Sequence, residues 1–361
     1  MKTFRLRALD TLFFRDGKPF SMGEETWAKG IFPPYPSTVH GMLRSVYFSD
    51  HLNQLSGANT PADPTTRLTI YGYLPSLNGA PAFPIPNDLY AIDKSKNQKA
   101  LLFKFRESDA GGGIISSYKH AFVLETHGNV KIEELGGKAL LRKEVFENYL
   151  NGKAGEYPFE RITQYVEDEP KIGIGRDFNT RTASEGKLYR VSMQRPQGKE
   201  GEITFLVKFN GITLPEKGLS RFGAEIKAIE YENYSFPNIS NPLDDNDTHF
   251  KIYLASPAVF EEGLYPGEWF KNHGLKLLAA ASGRHQYIGG FDLSKQEPKE
   301  MRRAVPAGTV FYIEETDVKK AGSVKHLLHE GSIYNLAPSN NSYKEEYQKR
   351  GFGLTYLGKI N

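Results

Sequence analysis

Residues 172–190, IGIGRDFNTRTASEGKLYR, join phosphate-binding side chains to a backbone with few obstructions. Arg176 and Arg181 carry forked guanidinium donors that suit phosphates and base edges. Asn179, Thr180 and Thr182 add neutral donors and acceptors. Gly173 and Gly175 remove side chains, so a ligand's backbone can approach closely. The LYRVSMQ run alternates like a strand, which predicts a β-hairpin with a basic tip. The chemistry is that of a finger on a nucleic-acid backbone. A solvated hairpin with ordinary surface charge is the competing reading, and composition alone leaves it open.

Three other stretches offer weaker chemistry. RDGKPFS at 15–21, with Arg15, reads as a ligand loop or a polar turn. PSTVHGMLR at 36–44 sets Ser37 and Thr38 at a helix start, with His40 and Arg44 following on the helix. Backbone N–H groups at such a start attract phosphate, although a plain cap explains the same residues. RGFGLTYLG at 350–358 places Arg350 before the turn Gly351-Phe352-Gly353. Turns of this kind cradle anions by exposing N–H groups. No GK[ST] follows, so it is not a Walker loop.

The histidines and acids give little support for an enzyme. His40 near Ser37 could serve as a base, but no G-x-S-x-G elbow exists. His326 and His329 have metal-like spacing without a Glu between them, as on a surface helix face. Asp244, Asp245 and Asp247 do not continue with EF-hand spacing and read as a solvated loop. No cofactor is called for.

The chain of 361 residues is long enough for about two domains. Its net charge of +3 is uninformative, and its charge is unevenly placed. Residues 171–195 hold six cations (Lys171, Arg176, Arg181, Lys187, Arg190, Arg195) against Asp177 and Glu185. Residues 225–262 hold eight acids and two lysines. The two segments imply two faces and different partners. With no cysteine, disulfides, thiolate zinc sites and cysteine nucleophiles are excluded, as fits a reducing cytoplasm. The N-terminus does not read as a signal peptide, and no run is long enough to cross a membrane.

These residues need elements to hold them. Phe4, Leu6 and Ala8 alternate in a first strand. Val39, Met42, Leu43, Val46 and Tyr47 then recur at helical spacing, with Ser37 or Thr38 as the cap. Residues 56–98 predict short strands and loops, and 138–152 a helix. After EITFLVKFNG, residues 232–248 read as a polar linker. The second half predicts a strand in FKIYLASPAVF, a helix in WFKNHGLKLLAAAS, strands in QYIGGFDL and AVPAGTVFYIEE, and a helix in SVKHLLHE. Two β–α–β halves predict an α+β protein with domains at 1–231 and 249–361, ferredoxin-like in kind.

The motifs LFFRDGKPFS, PPYPSTVHGMLRS, AFPIPNDL, IGIGRDFNTRTASEGKLYR, YIGGFDL with RRAVPAGTVFYIE, and GFG occur in that order. This series, across residues 12 to 358, resembles the RAMP-superfamily subunit of the type III-B (Cmr) CRISPR effector that caps the 5′ end of the guide RNA. The resemblance implies two ferredoxin-like (RRM-like) domains with an inserted β-hairpin thumb and glycine-rich loops. It implies a non-catalytic protein that binds the 5′ tag of the crRNA. It also implies contacts with the large polymerase-like subunit and the first backbone subunit, and no membrane.

The thumb maps onto Arg176, Asn179, Arg181 and Thr182, with Gly175, and the glycine-rich loops map onto Gly289–Gly290 and Gly351–Gly353. Arg15, Ser37, Thr38, His40, Arg44, Arg302, Arg350 and Phe352 complete the expected RNA-binding set. Phe14, Phe178, Phe291 and Phe352 are candidates for base stacking, though each also reads as core. RFGAE at 221–225 departs from the family, which often has a second glycine where Ala224 stands. An endoribonuclease of the same superfamily, using a base such as His40, is the alternative. A carbohydrate-active protein is a third, which the basic cluster argues against.

Overall fold

The computed structural model describes residues 1–15, 27–28, 30–92, 98–108, 121–177, 179–292 and 297–360. Strand β1 (Lys2–Ala8) buries Phe4 and Leu6 completely, as their alternation predicts. Helix α1 (Pro36–Asp50) follows, then β2 (Thr69–Leu77) and β3 (Ala80–Pro84). Strand β4 (Ala139–Arg142) runs directly into helix α2 (Lys143–Leu150). Strands β5 (Glu167–Arg176) and β6 (Ala183–Arg195) pair as a long antiparallel hairpin. The half closes with β7 (Gly201–Asn210), β8 (Lys217–Arg221) and β9 (Ala228–Asn233).

The main sheet of this half has the order β4-β3-β2-β7-β1-β9-β8, and Glu160–Arg161 pairs outside β4. Every pairing in it is antiparallel.

The second half contains β10 (His249–Leu254), α3 (Gly267–Asn272), β11 (Leu275–Ala281), β12 (Val310–Glu315), α4 (Val318–Leu328) and β13 (Leu354–Lys359). Its sheet runs β11-β12-β10-β13, with Gly331–Ser332 on the outer edge, again all antiparallel. The protein is thus mixed α and β, rich in strands and with few helices.

Three expected elements differ. Helix α1 starts at Pro36 with Tyr35 as its cap and no side-chain cap bond, so Ser37 and Thr38 lie inside its first turn. Pro36 fits there because its fixed φ suits the first helical position. Residues 139–142 are a strand rather than the start of a helix, because they pair with Ala82–Pro84 on one side. The segment 269–282 is two elements. Gly274, at φ +68, ends the helical turn, and its missing Cβ leaves room for Asp317. The apolar run beyond it becomes β11, paired to β12.

Strand β10 explains how the halves join. Phe250, Ile252 and Leu254 face Trp269, Phe270, Val324 and Leu328 of α3 and α4. Tyr253 faces the other way, into a core shared with the first half. There Phe146 of α2 stacks on Phe83 at 4.0 Å and packs against Tyr253 at 4.9 Å and Tyr356 at 5.6 Å. The second sheet is therefore covered on both faces. Of residues 232–248, read as a linker, the first two end strand β9 and the stretch around 239–247 is held against α4. Ile239 is buried, its N–H donates to Glu330 at 3.0 Å, and its C=O accepts from His329 at 2.8 Å. Lys325 donates to the carbonyls of Asp245 and Asp247. Among the described residues no helix is long and apolar enough to cross a membrane.

Candidate nucleic-acid interface

The hairpin β5–β6 is rooted in the body and bare at its tip. At the root, Leu12 and Gln194 exchange two backbone hydrogen bonds, 2.7 and 2.8 Å. Val191 and Met193 are buried against Phe13. The cations at this end are already neutralised. Arg195 pairs with Glu169 at 2.5 Å, and Lys171 with Glu225 at 2.7 Å. Both acids lie outside the window 171–195, so the charge count over that window overstates what the hairpin offers.

At the tip, the Asp177 carboxylate accepts from the N–H groups of Asn179 and Thr180, 2.9 and 2.8 Å, and from the Thr180 hydroxyl. The Arg181 N–H donates to the Asp177 carbonyl, with Arg181 at φ +56. Gly175 falls where the register shifts between Ile174 and Arg176. Arg176, Asn179, Arg181 and Thr182 are exposed, and no carboxylate of the described residues pairs with either arginine. The turn has its own signal in the sequence: Asp followed two and three residues later by Asn and Thr is an Asx-turn pattern. Phe178 lies outside the described residues.

A second group gathers where α1 begins. Gly351, at φ +84, lies against Pro36 and Ile70, and a Cβ there would sit 2.7 Å from Ile70 Cγ2. The loop therefore packs over the first turn of α1, which carries the half-buried Ser37 and Thr38. The structure corrects the expected cradle. The N–H groups of Gly351, Phe352 and Gly353 donate to the carbonyls of Gln348, Tyr347 and Pro257. None is left for a phosphate. Phe352 is 1% exposed and packs edge-on against Tyr347 at 5.7 Å, so it is core and not a stacking platform. Phe14 is likewise buried, edge-on to Phe222.

Arg44 is also spent internally. Its Nε donates to Thr65 at 2.8 Å, and its Nη2 to Asn59 at 3.0 Å and Asp63 at 2.6 Å. It ties the 57–66 loop to the helix. His40 is pushed down to about 4 by burial, with Arg350 and Arg44 nearby adding to the shift. That makes it a weak base for proton abstraction. Arg350 is half-buried and reaches Glu346 at 3.5 Å.

The remaining expected residues sit on other segments. Gly289 and Gly290 lead out of the short strand Gln286–Ile288, which pairs with Arg302–Ala304. A Cβ at Gly290 would meet only the far end of Lys299, so close packing does not require glycine there. Arg302 pairs with Glu300 at 2.6 Å and lies 6.0 Å from the Tyr343 ring. Arg15 is exposed, its backbone bridged to Gly30. The side chain of Phe291 and residues 16–26 lie outside the described residues. Both nitrogens of the His329 ring are engaged, with the Ile239 carbonyl and the Leu357 N–H, and among the described residues no cluster of three or more His, Asp or Glu side chains that could hold a metal ion is found.

A family model described as "CRISPR-associated protein (Cas_Cmr3)" matches residues 4–360. The chain is 24% identical, over 86% of its length and 85% of the relative's, to the CRISPR system CMR subunit Cmr3 of Saccharolobus solfataricus. Its fold is similar to a chain in the structure of a type III-B Cmr-beta complex bound to cognate target RNA and AMPPnP. There the TM-score is 0.57, with 18% identity, covering 98% of this chain and 99% of that one. A chain of a type III-B Cmr-beta complex bound to cognate target RNA gives 0.54, with 19% identity and 86% coverage of each. With a match along nearly its whole length, the chain belongs to the CRISPR-associated Cas_Cmr3 family and is a Cmr-type subunit.

Proposed function

We propose that this chain holds the 5′ repeat-derived tag of the guide RNA in a type III-B effector and does not cut it. One observation carries the reading: a rooted hairpin whose basal cations are paired within the protein, while Arg176 and Arg181 stand exposed at its tip. Exposed arginines on a projecting element are suited to an RNA backbone. Membership of the family, and similarity to chains of RNA-bound Cmr complexes, support it. His40, made a weak base by its burial, gives the nuclease alternative little support.

The two halves read as ferredoxin-like units, bounded at 1–231 and 249–361. Support comes from the order β2-β7-β1-β9 in the first and β11-β12-β10-β13 in the second, each with the first strand of the unit in the interior. The second unit carries both helices of the βαββαβ pattern, α3 and α4. In an assembly the protein would contact the large polymerase-like subunit on one side and the first backbone subunit on the other.

The test is fluorescence anisotropy with guide RNAs carrying intact or scrambled 5′ tags, with and without the large subunit, and gels for cleavage. Binding that depends on the tag, with the RNA left intact, is the expected result. Metal-free cleavage favours the nuclease, and absence of tag preference even with the partner overturns the reading.

A further inference from the structure

A pocket of about 650 Å³ opens between the segment around Leu101–Phe105 and the second sheet, and the hairpin reading makes no use of it. That size suits a small ligand. Its walls are mostly apolar and aromatic, with Phe103, Phe105, Tyr157 and Tyr312 among them. Phe105 meets Tyr312 edge-on at 4.5 Å, which fixes that wall.

One lining residue does not fit an apolar wall. Lys251 of β10 is 1% exposed and stands opposite Tyr312 across the sheet. Its ammonium lies 4.0 Å from the centre of the Tyr149 ring. A lysine ammonium has three donors. Among the described residues, no hydrogen-bond acceptor is found for any of them. Asp88, behind it, does not fill the need. One carboxylate oxygen accepts the hydroxyls of Tyr149 and Tyr312, at 2.7 and 2.6 Å, and the other has no hydrogen-bond partner. Asp88 thus acts on Lys251 only through space, and burial leaves the lysine easier to deprotonate than usual. The charges at the pocket's rim are taken: Lys104 pairs with Glu125 at 3.1 Å and Glu156 with Lys99 at 2.6 Å. Lys251 itself is among the residues that line the pocket.

We propose that this pocket binds a small amphipathic anion, its apolar body between Phe105, Tyr157 and Tyr312 and its single carboxylate or phosphate-monoester head on Lys251. A buried cation with unfilled donors and apolar flanks selects for such a ligand and against a neutral one of the same shape.

Benzoate, phenyl phosphate and benzamide share one ring and differ in the head, so titration calorimetry of the full chain with all three tests the assignment. One of the two anions should bind roughly tenfold or more tighter than benzamide, and the tighter one names the head group. Lys251→Met, close to the lysine stem in shape, should abolish that preference while tag-RNA binding stays at the wild-type level. Equal affinity for all three, no measurable binding of either anion, or a preference that survives Lys251→Met overturns the proposal. Should Lys251→Met fail to fold, the wild-type comparison of anion with amide still decides. Because the readout is a small ligand, failure here leaves the RNA reading standing, and failure of RNA binding leaves this one standing.

Discussion

Arg176 and Arg181 differ from Lys171 and Arg195 in what surrounds them, though sequence gives all four the same charge. The latter pair have carboxylates within ion-pair distance and the former do not, among the described residues. Replacing Arg176 and Arg181 together by Ala should therefore weaken tag-RNA binding. It should lower the slope of log affinity against log salt by about 1.4 if each holds one phosphate of a single strand. Unfolding stability should change by no more than about 0.5 kcal/mol for each, because exposed loop charges contribute little. An unchanged salt slope would remove the hairpin from the interface.

His40 gives a second residue-scale expectation. Its folded pKa is lowered from 6.5 to about 4, so below pH 6.5 the unfolded chain takes up the proton first. Stability from this group is present above pH 6.5 and is lost as pH falls toward 4, by at most about 3 kcal/mol. His329 is shifted in the same direction by its burial. Urea unfolding at pH 7 and pH 4.5 measures the loss, and His40→Gln should reduce it. The lowered carboxylate of Asp63 acts below the ordinary 3.8 and falls outside this window.

At the scale of elements, the loop 350–353 holds the halves in register. The Lys349 carbonyl accepts the Ile70 N–H at 2.9 Å, and Gly351 fits against the same residue. Gly351→Ala should destabilise by about 1–3 kcal/mol, from its positive φ and the clash with Ile70, as read from denaturant midpoints.

The two glycine motifs show what the sequence could convey. Glycine at 351 and 353 is visible as a turn, but whether its N–H groups face solvent or carbonyls depends on how the 347–351 turn closes and on Pro257, which only the fold brings there. Period was legible where one face is buried, as in β1 and α1. It misled at 269–282, because a strand with apolar side chains on both faces, such as LKLLAAA, carries the same apolar density as a helix. The hairpin was visible from alternation and its turn residues. Its neutralised root was not, because Glu225 approaches Lys171 only through a distant loop.

Across the whole molecule, the shared aromatic core argues for one cooperative unit. Phe146 on α2 touches both sheets, so Phe146→Ala should cost about 3–5 kcal/mol. Calorimetry should show a single transition with equal van't Hoff and calorimetric enthalpies. Two resolved transitions would mean that the halves unfold separately.

The place of β1 has a consequence for how the chain reaches this state. It lies between β7 and β9, with Lys2 opposite Phe209 and its ammonium bonded to the carbonyl of Leu214, 212 residues away. A ribosome releasing about 5–20 residues per second leaves β1 without its neighbours for roughly ten seconds or more. During that time Phe4 and Leu6 are an unpaired apolar strand. The hazard is therefore one of synthesis, not of the finished fold. Slow, non-local closure of this kind makes the yield of protein sensitive to temperature and expression rate well before stability becomes limiting.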